Sequence, residues 1–378
     1  MLADTRAFVL HSRQTIRSGT GDGRIKRCQS LSDKTEGLRC AGCFRRLLLG
    51  GVDLVGIALK GVGRMRKFGT SLKKRMKNPV CRLAGFVCRM QWLVIFPILV
   101  LGCSRNDAPQ LVELKPETLD ELLLLSPDEL ERVDTGRMNL LCCEWISDPA
   151  TGRLDKAMAR LDDWTERVWL NEKRRLPHFQ KFASRYDNSL AKYKAVNLAL
   201  AIQRELKCGY NMSLVRSGAM QDVRTPRFFR HSDDVFISGL LRTGKGSCSS
   251  MPVLFVTLAR RLGYPVRLAM TRHHLYCRWE DGRESFNMEI SGEGVDDPSD
   301  DFYRGPSFSP SEDEIRGEGL LRSLTNKEVL GVFLETAGLN REANNDLPHA
   351  VGCYVRALRC RPNSRYLSRL LEHAQRKR

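Results

Sequence analysis

Paired cysteines, metal-ligand clusters and long apolar runs are all missing from this sequence. Its 13 cysteines are scattered, five of them in residues 1–90, without the paired spacing of a disulfide-built module. Cys40-Ala-Gly-Cys43 is a lone CxxC with no second pair and no flanking βαβ pattern, so it reads as chance. No His/Cys group has zinc spacing. The acidic run Asp296-Asp-Pro-Ser-Asp-Asp301 lacks the Gly and the terminal Glu of an EF-hand loop, which argues against a calcium site of that kind. The apolar run Trp92–Leu101 is too short to span a bilayer comfortably. A basic surface is missing too, although the formal charge is +18 over 378 residues. Residues 1–90 hold 20 Lys+Arg against 5 Asp+Glu, a charge of +15, which leaves +3 for the rest. The basicity belongs to the N-terminal stretch, and nucleic-acid binding by the folded part has no support.

What is present is concentrated between Gly244 and Ile290. A Gly-rich turn, Gly244-Lys-Gly246, precedes Cys248, and the apolar run Pro252–Leu262 predicts a helix that Gly263 stops. Proline fits the first helical turn, where its missing N–H costs little. Cys248 therefore falls at or just before a helix N-terminus, where unpaired N–H groups and the helix dipole favour a thiolate and an oxyanion. Three strands follow: Val266–Met270, His273–Trp279 and Glu284–Ile290, the last two joined by the hairpin signal Asp281-Gly282. Alternation sets Phe286, Met288 and Ile290 on one face of the third strand and Asn287 and Glu289 on the other. It likewise sets His274, Tyr276 and Arg278 together, away from Leu275, Cys277 and Trp279. Taken singly, a cysteine is usually a small hydrophobe, and a histidine a satisfied polar residue. The order Cys–helix–strand–His–strand–carboxylate is rarer, and it can assemble a nucleophile, a base and an orienting group.

The carrying segments are Gly246-Ser-Cys248-Ser-Ser-Met-Pro-Val-Leu254, Ala259-Arg-Arg-Leu-Gly-Tyr-Pro265, His274-Leu-Tyr-Cys-Arg-Trp279 and Phe286-Asn-Met-Glu289. They resemble the transglutaminase-like superfamily, whose core is papain-like, and most closely a bacterial branch in which that core carries a tetratricopeptide-type tail. The resemblance is most specific over 233–291 and extends from about Asp134 to the C-terminus. It implies Cys248 as nucleophile and His274 as base. Glu289 stands where the family usually has Asp, and Asn287 on the same strand face is its rival for orienting His274.

The flanks fill in the rest. Residues 1–75 read as a disordered basic extension, and a start at Met76 is expected to be the true one. From there a short positive region (Lys77, Arg82, Arg89), the run Trp92–Leu101 and Gly102-Cys103 form a secretory signal. Val100-Leu-Gly-Cys103 resembles a bacterial lipobox, which implies lipidation of Cys103 and an exported, membrane-anchored lipoprotein of the periplasm or cell envelope. Residues 104–232 are expected to form a helical cap, with helices at Pro116–Val133, Asp134–Cys143, Leu154–Leu170 and Asn188–Leu206 and a loop at Asp148–Gly152. Thr225–Asp233 is a basic loop, either plainly solvated or a rim selecting acidic substrates. In the tail, Leu334, Ala337, Gly338, Ala350, Tyr354, Ala357 and Pro362 match the spacing of one tetratricopeptide repeat, with Arg341 in place of an aromatic.

The expected fold is α+β: helical cap 104–232, papain/transglutaminase-like core 233–315, helical tail 316–378. The expected chemistry is cysteine-dependent acyl transfer on an amide or peptide bond, ending in hydrolysis or transamidation, without cofactor or metal. The expected partners are a protein or peptide substrate, the membrane through the lipid anchor, and a protein docked on the tail. The alternative is a catalytically weak or inactive binding module, kept open by the Glu at the orienting position.

Overall fold

The computed structural model describes residues 113–144, 153–216, 226–290 and 294–378. The basic extension, the signal-like segment with Cys103 and the loop at Asp148–Gly152 lie outside the described residues. Among the described residues, no helix is long and apolar enough to cross a membrane.

The fold mixes many helices with a small sheet and is organised around one apolar helix. The helical stretch predicted at Pro116–Val133 splits into two short helices, Leu119–Leu124 and Pro127–Leu130. Pro127 cannot continue a helix, and Ser126 with Glu129 forms a capping box that starts the second one. Helix α1 (Thr135–Glu144) follows, and then α2 (Arg153–Arg175), which buries Leu154, Leu161, Trp164 and Val168 along one stripe. Helix α3 (Leu190–Leu200) starts at Ser189, whose hydroxyl accepts the Lys192 N–H at 3.0 Å. Its expected continuation to Leu206 loosens into a π turn over Ala201–Glu205. The chain then makes strand β1 (Gly209–Tyr210), helix α4 (Ile237–Thr243) and strand β2 (Lys245–Gly246). β1 and β2 pair in parallel, with Tyr210 opposite Gly246.

Helix α5 (Met251–Arg261) is the centre. Every residue from Met251 to Ala259 is buried, as expected of a helix apolar on all sides. It packs on α1 and α2 on one side and on the sheet on the other. Each fully buried Leu or Phe here contributes about 1.5–3 kcal/mol by leaving water. The sheet is a three-stranded antiparallel meander of β3 (Val266–Thr271), β4 (His274–Glu280) and β5 (Ser285–Met288), in that order. The register pairs Thr271 with His274 across the two-residue turn Arg272-His273, and Cys277 with Met288.

Short helices α6 (Asp300–Arg304) and α7 (Glu312–Glu318) cross the face of the sheet that carries Tyr276. The stretch after α7 runs along β3, where Leu321 N–H donates to Met270 O at 2.9 Å and Leu324 N–H to Leu268 O at 2.8 Å. Three helices complete the chain: α8 (Asn326–Ala343), α9 (Leu347–Cys360) and α10 (Arg365–Lys377). The positions singled out in the tail, Leu334, Ala337, Ala350, Tyr354 and Ala357, are all fully buried. A Cβ on Gly338 would lie 2.4 Å from the Tyr354 ring, so glycine is what lets α9 come this close to α8. Asn326 of α8 donates to Leu130 O at 2.7 Å, tying the tail to the N-terminal helices. One apolar cluster runs from Leu119 to Ala374 and is shared by the N-terminal helices, the sheet and the C-terminal helices, with a second, smaller cluster around Tyr276 and Tyr303.

Candidate active site

Cys248 lies in the turn ahead of α5, three residues before its first residue. The turn is pinned by its own serines. Ser247 Oγ donates to Asp234 O at 2.6 Å, Ser247 N–H donates to Ser250 Oγ at 3.0 Å, and Ser249 N–H donates to Ser247 Oγ at 3.2 Å. Gly246 is required by close approach, since a Cβ there would sit 2.5 Å from Leu240 and 2.8 Å from Met251. The cysteine is buried but borders a cavity.

His274 opens β4 beside that cavity. Its Nε2 lies 2.6 Å from Glu289 Oε1, with both side chains nearly enclosed. Glu289 follows β5 and is held in place by a two-way backbone bridge to Asp296, at 2.8 and 3.0 Å. Its Oε1 also accepts the Tyr303 hydroxyl at 2.7 Å. The His274 ring hydrogen-bonds the Cys248 side chain as well. With Nε2 on Glu289, Nδ1 is the nitrogen that faces the thiol. Burial alone pulls the His274 pKa down. The Glu289 carboxylate and the hydrogen bonds to Cys248 and Glu289 outweigh it and hold the value at about 10. Cys248, His274 and Glu289 thus form one hydrogen-bonded chain.

The two candidates for orienting His274 separate clearly. Asn287 is committed elsewhere: its Nδ2 donates to Asp300 Oδ1 at 2.8 Å, and its Oδ1 accepts from Arg278 Nη1 at 2.9 Å. Glu289 is the group on the imidazole, and Asn287 braces the far end of the sheet. The acidic run 296–301 has a structural place. Asp296 bridges Glu289, and Asp300 binds Arg278 and Asn287. Among the described residues, no cluster of three or more His, Cys, Asp or Glu is arranged to hold a metal. Of the basic loop before Asp233, it is Phe229, not Arg230 or His231, that lines the cavity.

Two tyrosines join the site that sequence reasoning passed over. The Tyr210 hydroxyl accepts the Cys248 backbone N–H and hydrogen-bonds the Cys248 side chain, and burial followed by the charge of Cys248 pushes its pKa well up. Parallel pairing of β1 with β2 brings it there from far upstream. Tyr303 stacks on Tyr276 with centroids 4.0 Å apart and closes the carboxylate side, while Phe308 covers the His274 ring at 5.5 Å. Burial, then the Glu289 charge, raises the Tyr303 pKa, so it remains a donor to that carboxylate.

The cavity beside Cys248 and His274 has a volume of about 530 Å³. Its floor is the hairpin tip of β3 and β4, and its far wall is built by α8 and α10, through Val332, Thr336, Tyr366 and Leu370.

Residues 184–285 match the family described as the transglutaminase-like superfamily. The transglutaminase-like stretch takes in Tyr210, Cys248 and His274 and ends before Glu289. It begins in the 3-10 turn Ala183–Tyr186, upstream of Asp233 and within the segment read as a cap. At the level of the superfamily, the match agrees with cysteine-based acyl transfer. No curated protein and no solved structure matches the chain.

Proposed function

We propose that this protein is a cysteine-dependent acyl-transfer enzyme acting on a carboxamide or peptide bond. The observation that carries the reading is the hydrogen-bonded chain Cys248–His274–Glu289 at the edge of a cavity large enough for a peptide side chain. An imidazole held at about 10 favours an imidazolium that has taken the thiol proton, leaving a thiolate on Cys248. The Cys248 thiolate attacks the carbonyl carbon, and the oxygen gains the negative charge. The Cys248 N–H and the Tyr210 O–H are the donors beside it, once the tyrosine hydroxyl turns off that N–H. His274 Nδ1 then gives its proton to the departing nitrogen, the C–N bond breaks and a thioester remains. Water or an amine attacks the thioester with His274 as base, which gives hydrolysis or transamidation. Glu289 keeps the imidazole in plane throughout, and the Tyr303 hydroxyl keeps Glu289 in place.

We further propose that the signal-like segment and a lipid on Cys103 hold this enzyme on the cell envelope, and that the C-terminal helices, spaced like one tetratricopeptide repeat, dock a protein.

The test is the alkylation of Cys248 by iodoacetamide at pH 6, followed by mass spectrometry. A free thiol with a pKa of about 8.5 is only about 0.3 % ionised there. Cys248 is expected to react at least about tenfold faster than glutathione, and faster than Cys208, Cys277 and Cys353. Burial raises the pKa of all three of these, with Cys208 and Cys353 pushed up to about 12. A rate at or below that of glutathione would make the inactive binding module the better reading.

A further inference from the structure

We infer that the last helix belongs to the catalytic unit: Tyr366 is a positioning residue that holds His273 in a left-handed turn and so sets the orientation of His274. This rests on the reading of Cys248 and His274 as nucleophile and base. His273 has φ 61°, in a region where residues other than glycine are uncommon. It occupies the second position of the two-residue turn closed by the Thr271–His274 pair, a place where a tight turn with positive φ ordinarily carries Gly or Asn. The turn survives with histidine because it is gripped from outside. The His273 ring meets the Tyr366 ring edge-on, with centroids 5.6 Å apart. The other turn residue, Arg272, is ion-paired with Glu314 of α7.

Tyr366 is itself fixed. Its backbone N–H donates to Glu318 Oε1 at 2.9 Å. The other oxygen of Glu318 accepts from Arg361 Nη2 at 3.1 Å, and Arg361 reaches Glu335 at 2.6 Å. Arg361 is buried, so the triad is a rigid mount, not a surface ion pair. His274 is the next residue after His273. A change in the turn therefore swings the imidazole relative to Cys248, and small displacements of a catalytic group are expensive in rate. All of these residues line the same cavity.

The experiment measures iodoacetamide labelling of Cys248 at pH 7 and at pH 10 in the full chain. Y366A is expected to slow labelling at pH 7 about tenfold, while at pH 10, where a thiol ionises unaided, the rates converge. A loss of access or of fold would slow both. Y366F keeps the ring and should stay within about twofold of the parent. H273A should behave like Y366A, because alanine must still hold the left-handed turn without its ring contact. H273G should recover most of the rate, since glycine adopts that φ freely. In the H273G background, adding Y366A should cost less than about twofold. If Y366A fails to fold, the H273A and H273G pair decides the matter. Equal rates for H273A and H273G, or a Y366A loss that persists at pH 10, overturn the inference while leaving the site reading intact. A parent protein whose Cys248 labels like an ordinary thiol at pH 7 overturns both.

Discussion

Replacing Glu289 by Gln removes one charge and no volume. In the parent the carboxylate accepts from His274 at 2.6 Å and from Tyr303 at 2.7 Å, in an almost closed site. Gln keeps an oxygen for Tyr303, so the perturbation falls on the imidazolium. The His274 pKa is raised from 6.5 to about 10 against burial that lowers it, and Glu289 is the largest contribution in the raising direction. Without that charge, burial is opposed only by the interaction with Cys248, and His274 is expected to be neutral at pH 7. An unassisted thiol with a pKa of about 8.5 is about 3 % ionised at pH 7, so the ceiling on the loss of thiolate is about thirtyfold. A thiolate of lower basicity is also a weaker nucleophile, which reduces the expected loss in alkylation rate to about tenfold. The pH profile carries the sign. Because the His274 pKa is raised by folding, the pair is fully present below about 6.5 and is lost as pH rises through about 10. The parent rate should be nearly flat across neutral pH, while E289Q should climb like a simple thiol. Thermal stability should follow: E289Q should be less stable than the parent by about 2–4 kcal/mol at pH 6, with the gap narrowing towards pH 10. Superimposable pH–rate profiles for parent and E289Q would refute the assignment of Glu289 to His274.

Two further outcomes are expected. Gly338→Ala places a methyl 2.4 Å from the buried Tyr354 ring. Overpacking should outweigh the better helix propensity of alanine and cost about 1–2 kcal/mol, read as a melting temperature lower by a few degrees; an unchanged or higher value would mean that α8 and α9 are less closely packed than described. Cys103→Ala should abolish incorporation of labelled fatty acid and release the protein from membranes, and peptides upstream of Met76 should be absent from the native protein. Unaltered labelling, or abundant upstream peptides, would remove the lipoprotein reading.

The core of the site was readable because it is built from local patterns. Cys248 precedes a run of apolar residues that can only be a buried helix, and period-two alternation fixes which side chains of β4 and β5 share a face. The choice between Asn287 and Glu289 was not readable, since both point the same way. It is made by Arg278 and Asp300, which claim Asn287. Tyr210 and Tyr303 carry no local signal at all. One arrives through a two-residue parallel strand pair, the other through a short helix whose acidic start gave no hint of a neighbouring carboxylate site. The helix expected over Pro116–Val133 broke at Pro127, where capping chemistry overrode apolar spacing. Leu119, Leu122 and Leu130 are buried all the same, while Leu124 is left exposed. That the C-terminal helices wall the cavity beside Cys248 was hidden for a different reason: a helical hairpin has an apolar stripe whatever it packs on, and the stripe does not name its neighbour.

The strand β3 lies at the rim of the sheet, where unpaired backbone groups invite another chain to add itself. Here Leu321, Ser323 and Leu324 occupy that rim through the bonds to Met270 and Leu268 and the bridge to Ala269. The residues joining the sheet to the C-terminal helices thus act as a built-in guard against edge-to-edge aggregation. A fragment trimmed to the family-matched stretch would lose that guard together with the helices that cover the apolar interior. Such a fragment would carry Cys248 beside His274 and a sheet open to self-association, with neither Glu289 nor the wall of the cavity.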